Sequence, residues 1–476
     1  MSTLQCDTVE LSLVGRIALA TTRFSERWIP DAFAFALLAT LLIFPLAVVW
    51  GHASVTTTID AWGKGFWELL PFTLQMALVI ITGSVLASAP PIARTIARVA
   101  GWPRTPRGAV ALVTSCALAS AWFNWGFSLV VSAALAREVA RRVRDVDYRA
   151  LAAASFLGLG SIWAQGLSGS AALQMASVNA LPAQIREVVA HGTVLPGGII
   201  SLRHTIFLWQ SQVAVLLEFL VVVAIMWFAT PPPSRARTAA DLGIDLGVTA
   251  ESEAPLSAAT PGEWIEHSPI VTVLIVLLGG TYLVRYFAAA ADPLAALNLN
   301  TLNLLLLLVG FALHGTPARL ARAVRNATPA VWGVLLQFPF NAGIAGMITY
   351  THLNHEIAGL FVRVSSARTY PALIALYSTV LGIFVPSGGS KWVIEAPYVM
   401  DAAHRLQVHL GWMVAVYDLG EALANLVQPF WMLPVLGILR LRARDVMGFT
   451  LVVFLALLPL VLLLVTLLGA TLRYPL

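Results

Sequence analysis

Long apolar runs, separated by short segments that carry arginine, make up most of this chain. Nine of them, at roughly 31–51, 66–90, 150–178, 205–229, 268–288, 299–314, 329–352, 411–439 and 446–472, read as membrane-spanning helices. A hydrocarbon layer ~30 Å thick needs ~20 apolar residues rising ~1.5 Å each. Two further stretches, 108–136 and 369–400, do not fit a single crossing. Each is about two half-membrane helices long and carries polar or Gly-rich residues at its middle. Keeping either in one crossing would take a large tilt, so both are predicted to be re-entrant hairpins.

Composition narrows the class. With 58% hydrophobic residues, 11% charged and a mean hydropathy of +0.81, this is not an ordinary soluble protein. The net charge of +5 describes topology and implies no nucleic-acid partner. With a cytoplasmic N-terminus and both hairpins re-entrant, 20 of the 29 basic residues fall on the cytoplasmic side, and the C-terminus is periplasmic. Arg94, Arg98, Arg104 and Arg107 precede the first hairpin, and Arg137, Arg141, Arg142, Arg144 and Arg149 follow its apolar part. A single span would put those two clusters on opposite faces.

The first thirty residues lack the pattern of a cleaved leader. Leu11, Leu13, Val14, Ile17 and Leu19, with Arg16, Arg23 and Arg27, read as an interfacial amphipathic helix over 1–30. Cys6 and Cys116 imply neither a disulfide framework nor a metal motif.

The order of elements repeats on either side of a linker at 231–263, which opens Pro231-Pro232-Pro233. Residues 31–230 form a first repeat containing hairpin 108–136, and 264–476 a second containing hairpin 369–400. Amphipathic connectors recur at matching places, Thr58–Phe66 and Thr316–Thr328. Segment 268–288 is the extra span that starts the second half on the opposite side. The predicted fold is therefore an all-α polytopic membrane protein of two inverted repeats, about nine spans and two re-entrant hairpins. In such carriers the site lies at the midplane, where discontinuous helices meet.

Candidate chemistry follows from polar residues that the bilayer makes costly. In the first hairpin these are Ser120, Asn124, Trp125 and Ser128. The following span carries Gln165, Ser168 and Ser170 among glycines, and should unwind there; freed carbonyls suit a cation, and half-helix N-termini suit a carboxylate. Asn124 marks a candidate sodium position; no metal ligand set stands out. In the second hairpin the run Val385–Pro397 holds Ser387, Gly388, Gly389, Ser390, Lys391, Trp392 and Glu395. Lys391 is one of only two lysines in the chain; it is suited to a substrate carboxylate, to Glu395 one turn on, or to the place of a coupling cation. Asp418, Glu421 and Asn425, near an expected helix break, complete the coupling candidates. Glu218 stands alone in an apolar span and is expected to pair with a neighbouring helix. His191, His204, His314, His352 and His355 fall in loops or span ends, so no Ser-His pair or metal constellation within the spans suggests a membrane-embedded enzyme.

Several ordered motifs resemble the bacterial short-chain fatty acid transporter family of acetoacetate/butyrate type. They are Asn124-Trp125-Gly126-Phe127, Ala136-Arg137-Glu138-Val139-Ala140-Arg141-Arg142, Leu167-Ser168-Gly169-Ser170, Gln337-Phe338-Pro339-Phe340, Val385-Pro386-Ser387-Gly388-Gly389 and Gln428-Pro429-Phe430-Trp431. The resemblance runs from about Arg23 to Gly448. It implies an inner-membrane carrier of small monocarboxylates within the ion-transporter superfamily, with a scaffold domain and a transport domain that moves as an elevator. It further implies a homodimer, no cofactor, and Na+ or H+ as coupling ion. Lys391 and Glu395 depart from the neutral polar residues that the resemblance leads one to expect. The expected function is transport by alternating access. The rivals are a dicarboxylate or other organic-anion carrier of the same fold, and a passive anion channel.

Overall fold

A computed structural model describes residues 32–177, 180–246, 260–290, 296–384 and 388–476. The described residues form helices and connecting turns, with no strand among them. The segment 1–30, expected to lie on the interface, is outside them, as are residues 247–259 of the linker.

The first half runs α1 (Ala32–Val49), α2 (Val55–Glu68), α3 (Leu70–Ala87), α4 (Pro90–Val99), α5 (Pro106–Phe123), α6 (Trp125–Arg142), α7 (Tyr148–Phe156), α8 (Ser170–Ala176), α9 (Ala183–Ala190) and α10 (Trp209–Ala229). After the linker come α11 (Pro261–His267) and α12 (Pro269–Ala289). The rest is α13 (Leu299–His314), α14 (Pro317–Ala327), α15 (Trp332–Tyr350), α16 (Leu353–Val364), α17 (Tyr370–Phe384), α18 (Gly388–Leu406), α19 (Leu410–Asn425), α20 (Leu433–Leu439) and α21 (Ala443–Gly469). The order from α1 to α8 and α10 thus recurs from α13 to α21, each half with one helix pair and one interrupted helix.

Local chemistry sets the boundaries. Ser54 caps α2 by accepting from the Thr57 amide at 3.0 Å, and Thr105 caps α5 by accepting from Gly108 at 3.1 Å, each satisfying an orphan N–H of a first turn. The connector helix α2 lies tight against α15, where a Cβ on Gly65 would come within 2.8 Å of the Gly346 Cα; only glycine permits that approach.

Helix length and apolarity alone do not yield nine spans. Among the described residues only α3, α10, α12 and α21 are long and apolar enough to cross a membrane as straight helices. α14 and α15 make one further candidate, bent by 57°, and α1, α13 and α17 include shorter apolar helices. The remaining runs, 150–178 and 411–439, are interrupted by loops and short 3-10 turns.

The hairpin at 108–136 is also longer than two half-membrane helices. Its arms have 18 residues each, or ~27 Å at ~1.5 Å per residue, because they continue into the flanking arginines. The arms run antiparallel, tied by Ser128 Oγ donating to the Ala117 carbonyl at 2.8 Å. The second pair, α17 and α18, is antiparallel too. Tyr370 donates to the Val399 carbonyl at 2.8 Å, and the Tyr377 and Tyr398 hydroxyls meet at 3.0 Å. Its tip, 385–387, is outside the described residues.

The expected break at 418–421 is displaced. α19 continues through Asp418 and Glu421 to Asn425, and the chain leaves the helix at 426–429, ahead of Pro429. The described start of the linker is docked at the N-terminus of α7: Arg237 N donates to Asp147 Oδ2 at 3.1 Å, and Tyr148 N to the Arg237 carbonyl at 2.9 Å. At the opposite end of the α7–α8 half-helices, the turn into α19 is capped by His409, whose Nδ1 accepts from Trp412 N at 3.0 Å. Burial, helped by His204 nearby, pushes the His409 imidazole down to about 4.

Candidate functional site

The two helix pairs and the two interrupted helices meet at one place. Asn124 breaks the first pair with extended backbone and caps α6, its Oδ1 accepting from Phe127 N at 2.8 Å. α3 passes so close to this tip that a Cβ on Gly83 would lie 2.5 Å from Asn124 Oδ1. The next N–H of the tip, on Trp125, donates to Ser168 Oγ at 3.0 Å. Ser168 belongs to the irregular segment between α7 and α8, which also hangs on the tip through Leu167 N to the Trp122 carbonyl at 2.7 Å.

The second half inserts into this arrangement. Asp418 Oδ2 accepts from the Ala171 amide at 3.0 Å, so a carboxylate of the protein itself occupies the start of α8. Gln174 Nε2 donates to the Gly389 carbonyl at 2.6 Å, and Asn425 Nδ2 to the Leu159 carbonyl at 3.3 Å. Tyr417 donates to the Gly388 carbonyl at 3.0 Å. The Trp125 and Trp431 rings meet edge-on at 5.2 Å.

Lys391 is 1% exposed, and its ammonium lies 2.6 Å from Glu421 Oε2. It also donates to the Ser378 carbonyl at 2.8 Å and to Ser378 Oγ at 3.1 Å. Glu395, the partner one turn on, is farther, at 4.0 Å. The main pair is thus between α18 and α19, not along α18. A desolvated ion pair survives only with such good geometry and extra hydrogen bonds.

Beside this pair is a narrow pocket of about 30 Å³, lined by Trp125, Leu159, Trp163, Ser170, Gly388, Gly389, Glu421, Asn425 and the apolar Met76, Ile80, Val334, Phe338 and Trp431. A water takes ~10–15 Å³ on this measure, so the pocket suits a head group of a few atoms. An apolar chamber of about 240 Å³ adjoins it and shares Ile80, Trp125, Val334, Phe338 and Trp431. Among the pocket-lining side chains, the Trp163 indole N–H, Asn425 Oδ1 and Glu421 Oε1 are buried without a hydrogen-bond partner among the described residues, and Trp163 is the donor of that set.

The sequence candidates divide accordingly. Trp125, Ser170, Gly388, Gly389, Glu421 and Asn425 line the pocket. Asn124, Ser128, Ser168 and Asp418 hold its walls through the bonds above, and Lys391 neutralises Glu421 from behind. Ser120 Oγ donates back to the Cys116 and Ala117 carbonyls at 2.5 and 3.3 Å, one turn earlier on its helix. Gln165 donates to Glu218 at 2.9 Å, which gives Glu218 its inter-helix partner. Trp392 is buried against Tyr417, with ring centroids 4.6 Å apart. Ser387 and the side chain of Ser390 are outside the described residues. Sequence reasoning missed Trp163, Phe338 and Trp431 as wall residues. The last two stand in the motifs that carry the family resemblance, and Trp163 was legible as an aromatic in a stretch expected to unwind.

Comparison with known proteins agrees with this architecture. A family model described as short chain fatty acid transporter matches residues 13–468. A provisionally named short-chain fatty acid transporter of Escherichia coli (strain K12) is 37% identical over 437 residues, covering 92% of this chain and 96% of the relative. One of Haemophilus influenzae, equally provisional in name, is 34% identical over 439 residues, covering 92% and 96%. Among solved structures, the Alcanivorax borkumensis YdaH transporter superposes with a TM-score of 0.58 at 15% identity, over 93% of this chain and 98% of its own. Neisseria gonorrhoeae MtrF, described as illuminating a class of antimetabolite efflux pumps, gives 0.56 at 14%, over 96% and 98%. These two likenesses concern the fold. Relatives and structural neighbours are transporters, which places the chain among membrane transport proteins and not among enzymes.

Proposed function

Because the chain belongs to the short-chain fatty acid transporter family, we propose that it is a secondary active transporter moving small monocarboxylates such as butyrate or acetoacetate by alternating access. The observation that carries this reading is the unpartnered Trp163 N–H at a head-group-sized pocket beside an apolar chamber. A buried donor left unpaired costs ~1–3 kcal/mol, and a substrate carboxylate accepting from Trp163 Nε1 and Ser170 Oγ relieves that cost. The short acyl chain then lies against Trp125, Phe338 and Trp431. Glu421 on the same wall would repel an anion, and Lys391 at 2.6 Å cancels its charge. Lys391 in this way takes the place of a coupling cation.

A monocarboxylate is favoured over a dicarboxylate because no Lys or Arg is among the residues lining the pocket, which leaves a second carboxylate without a counter-charge. In our reading the halves are inverted repeats. The helix pairs and interrupted helices move as the elevator's transport domain against a scaffold of α1–α3 and α13–α15. The protein is a homodimer of the bacterial inner membrane with its N-terminus cytoplasmic and C-terminus periplasmic, coupled to Na+ or H+. The test is counterflow of radiolabelled butyrate in proteoliposomes. Saturable exchange that acetoacetate competes supports a carrier; non-saturable flux that follows voltage alone makes it a passive anion channel.

A further inference from the structure

Glu395 is fully buried on α18, and neither of its carboxylate oxygens has a hydrogen-bond partner among the described residues. Its nearest cation, Lys391, donates to the Ser378 carbonyl and Ser378 Oγ and lies 2.6 Å from Glu421 Oε2, so it is held toward the other carboxylate. At 4.0 Å the ammonium is near enough to feel Glu395 but too far to hydrogen-bond it. An ionised carboxylate in such a place is among the most costly groups a protein can bury. The acid form carries no such cost.

The other titratable groups do not change this balance. On its own helix Glu395 faces Tyr398; from α17 it faces Tyr370 and Tyr377; from α19 it faces Tyr417 and Glu421. Asp418, also on α19, is bonded to the Ala171 amide. α8, α9, α15 and α16 touch α18 as well. α8 has no titratable residue, and α9 carries Arg186 and Glu187. On α15, Tyr350 donates to Glu68 at 2.5 Å. On α16, His355 is paired with Asp401 at 2.8 Å, and Glu356 and Arg363 complete the set. Among the described residues, the cation nearest Glu395 is therefore held closer to Glu421 than to Glu395.

We infer that Glu395 is a proton-binding site whose occupancy sets the anion affinity of the pocket, so that each carboxylate travels with a proton. This rests on the carrier reading above. With the proton on Glu395, Lys391 stays on Glu421, the pocket wall is neutral and an anion binds. When Glu395 releases its proton, its new charge draws Lys391 across the 4.0 Å gap. Glu421 is then left negative on the pocket wall and expels the anion. A proton taken up at the acidic face and released at the other completes the cycle: –COO⁻ and H⁺ give –COOH, then the reverse. No sodium ion is needed, because Lys391 is the fixed cation.

The experiment uses purified full-length protein in sodium-free proteoliposomes, with protein-free liposomes subtracted because butyric acid itself crosses lipid. Butyrate counterflow is measured at equal pH on both sides, from pH 5.5 to 8.5. In the wild type the half-saturating butyrate concentration should rise ~10-fold per pH unit above the titration of the site. Glu395→Gln mimics the protonated acid and should hold a single, low half-saturation value at every pH, with gradient-driven net uptake lost. A pH dependence that survives in Glu395→Gln, or wild-type uptake that requires sodium and ignores pH, overturns the proposal. Absence of any counterflow in the wild type overturns the carrier reading, and the proton site with it. If Glu395→Gln does not fold, calorimetry of butyrate binding to the wild type in two buffers of different ionisation enthalpy decides. About one proton taken up per anion near the titration supports the site, and none overturns it.

Discussion

Replacing Lys391 by Met removes the positive charge from among three buried carboxyl groups, Glu395, Asp418 and Glu421. The Coulomb attraction at an effective dielectric of ~20 is ~6 kcal/mol for the 2.6 Å contact with Glu421, while Glu395 in its acid form adds no ion-pair attraction. Desolvation offsets most of this, and breaking such a pair from one side costs ~3–5 kcal/mol. Glu421→Gln should cost less, because Lys391 can turn to Glu395, which then ionises and keeps ~4 kcal/mol of attraction at 4.0 Å. The double variant, Lys391→Met with Glu421→Gln, should recover much of the loss, since it leaves fewer uncompensated charges. Unfolding by dodecyl sulfate in mixed micelles, followed by tryptophan fluorescence, reads all four corners of the cycle. Lys391→Met within ~0.5 kcal/mol of wild type, or single effects that simply add within ~0.5 kcal/mol, would refute the reasoning.

Other outcomes follow from the same geometry. Trp163→Phe should raise the half-saturating butyrate concentration ~10–100-fold, the worth of a charge-assisted hydrogen bond, yet leave stability equal or slightly higher, because a donor without a partner is gone; equilibrium binding and melting check both halves. Trp431→Ala opens the chamber beside Trp125 and should raise the hexanoate-to-butyrate ratio of kcat/KM by ~10-fold, measured by competition in counterflow. His409, depressed to about 4 in the folded protein, contributes stability that is fully present above its ordinary value of 6.5 and lost as pH falls through 4. Melting in detergent between pH 7.5 and 4 should therefore fall more steeply in wild type than in His409→Asn, which keeps a capping side chain and does not titrate; equal slopes would exclude this role.

The sequence shows the site in outline because membranes punish polarity. Asn124, Ser168, Lys391, Asp418 and Asn425 were conspicuous against apolar neighbours, and all of them sit at or behind the pocket. Partnership was not legible. Glu395 is one turn from Lys391 and was the obvious mate, but Glu421, 30 residues on, comes nearer because α19 stays helical where a break was expected. Leucine-rich periodicity does not reveal where a helix persists through Gly420 when neighbouring helices enclose it. The apolar wall was equally silent, since Phe338 and Trp431 look like any aromatic in a hydrophobic run.

The contact between Gln174 and Gly389 joins residues 215 positions apart. At ~5–20 residues per second of synthesis, Gln174 is made roughly 10–40 s before its acceptor exists. Ala171 waits longer still for Asp418, 247 positions on. Through that interval α8 holds the Ala171 amide and the Gln174 side chain without the partners they later find, and hydrocarbon supplies none. The first half must therefore be kept from full contact with lipid until the second arrives, and delay in making the second half threatens this chain more than delay in making the first.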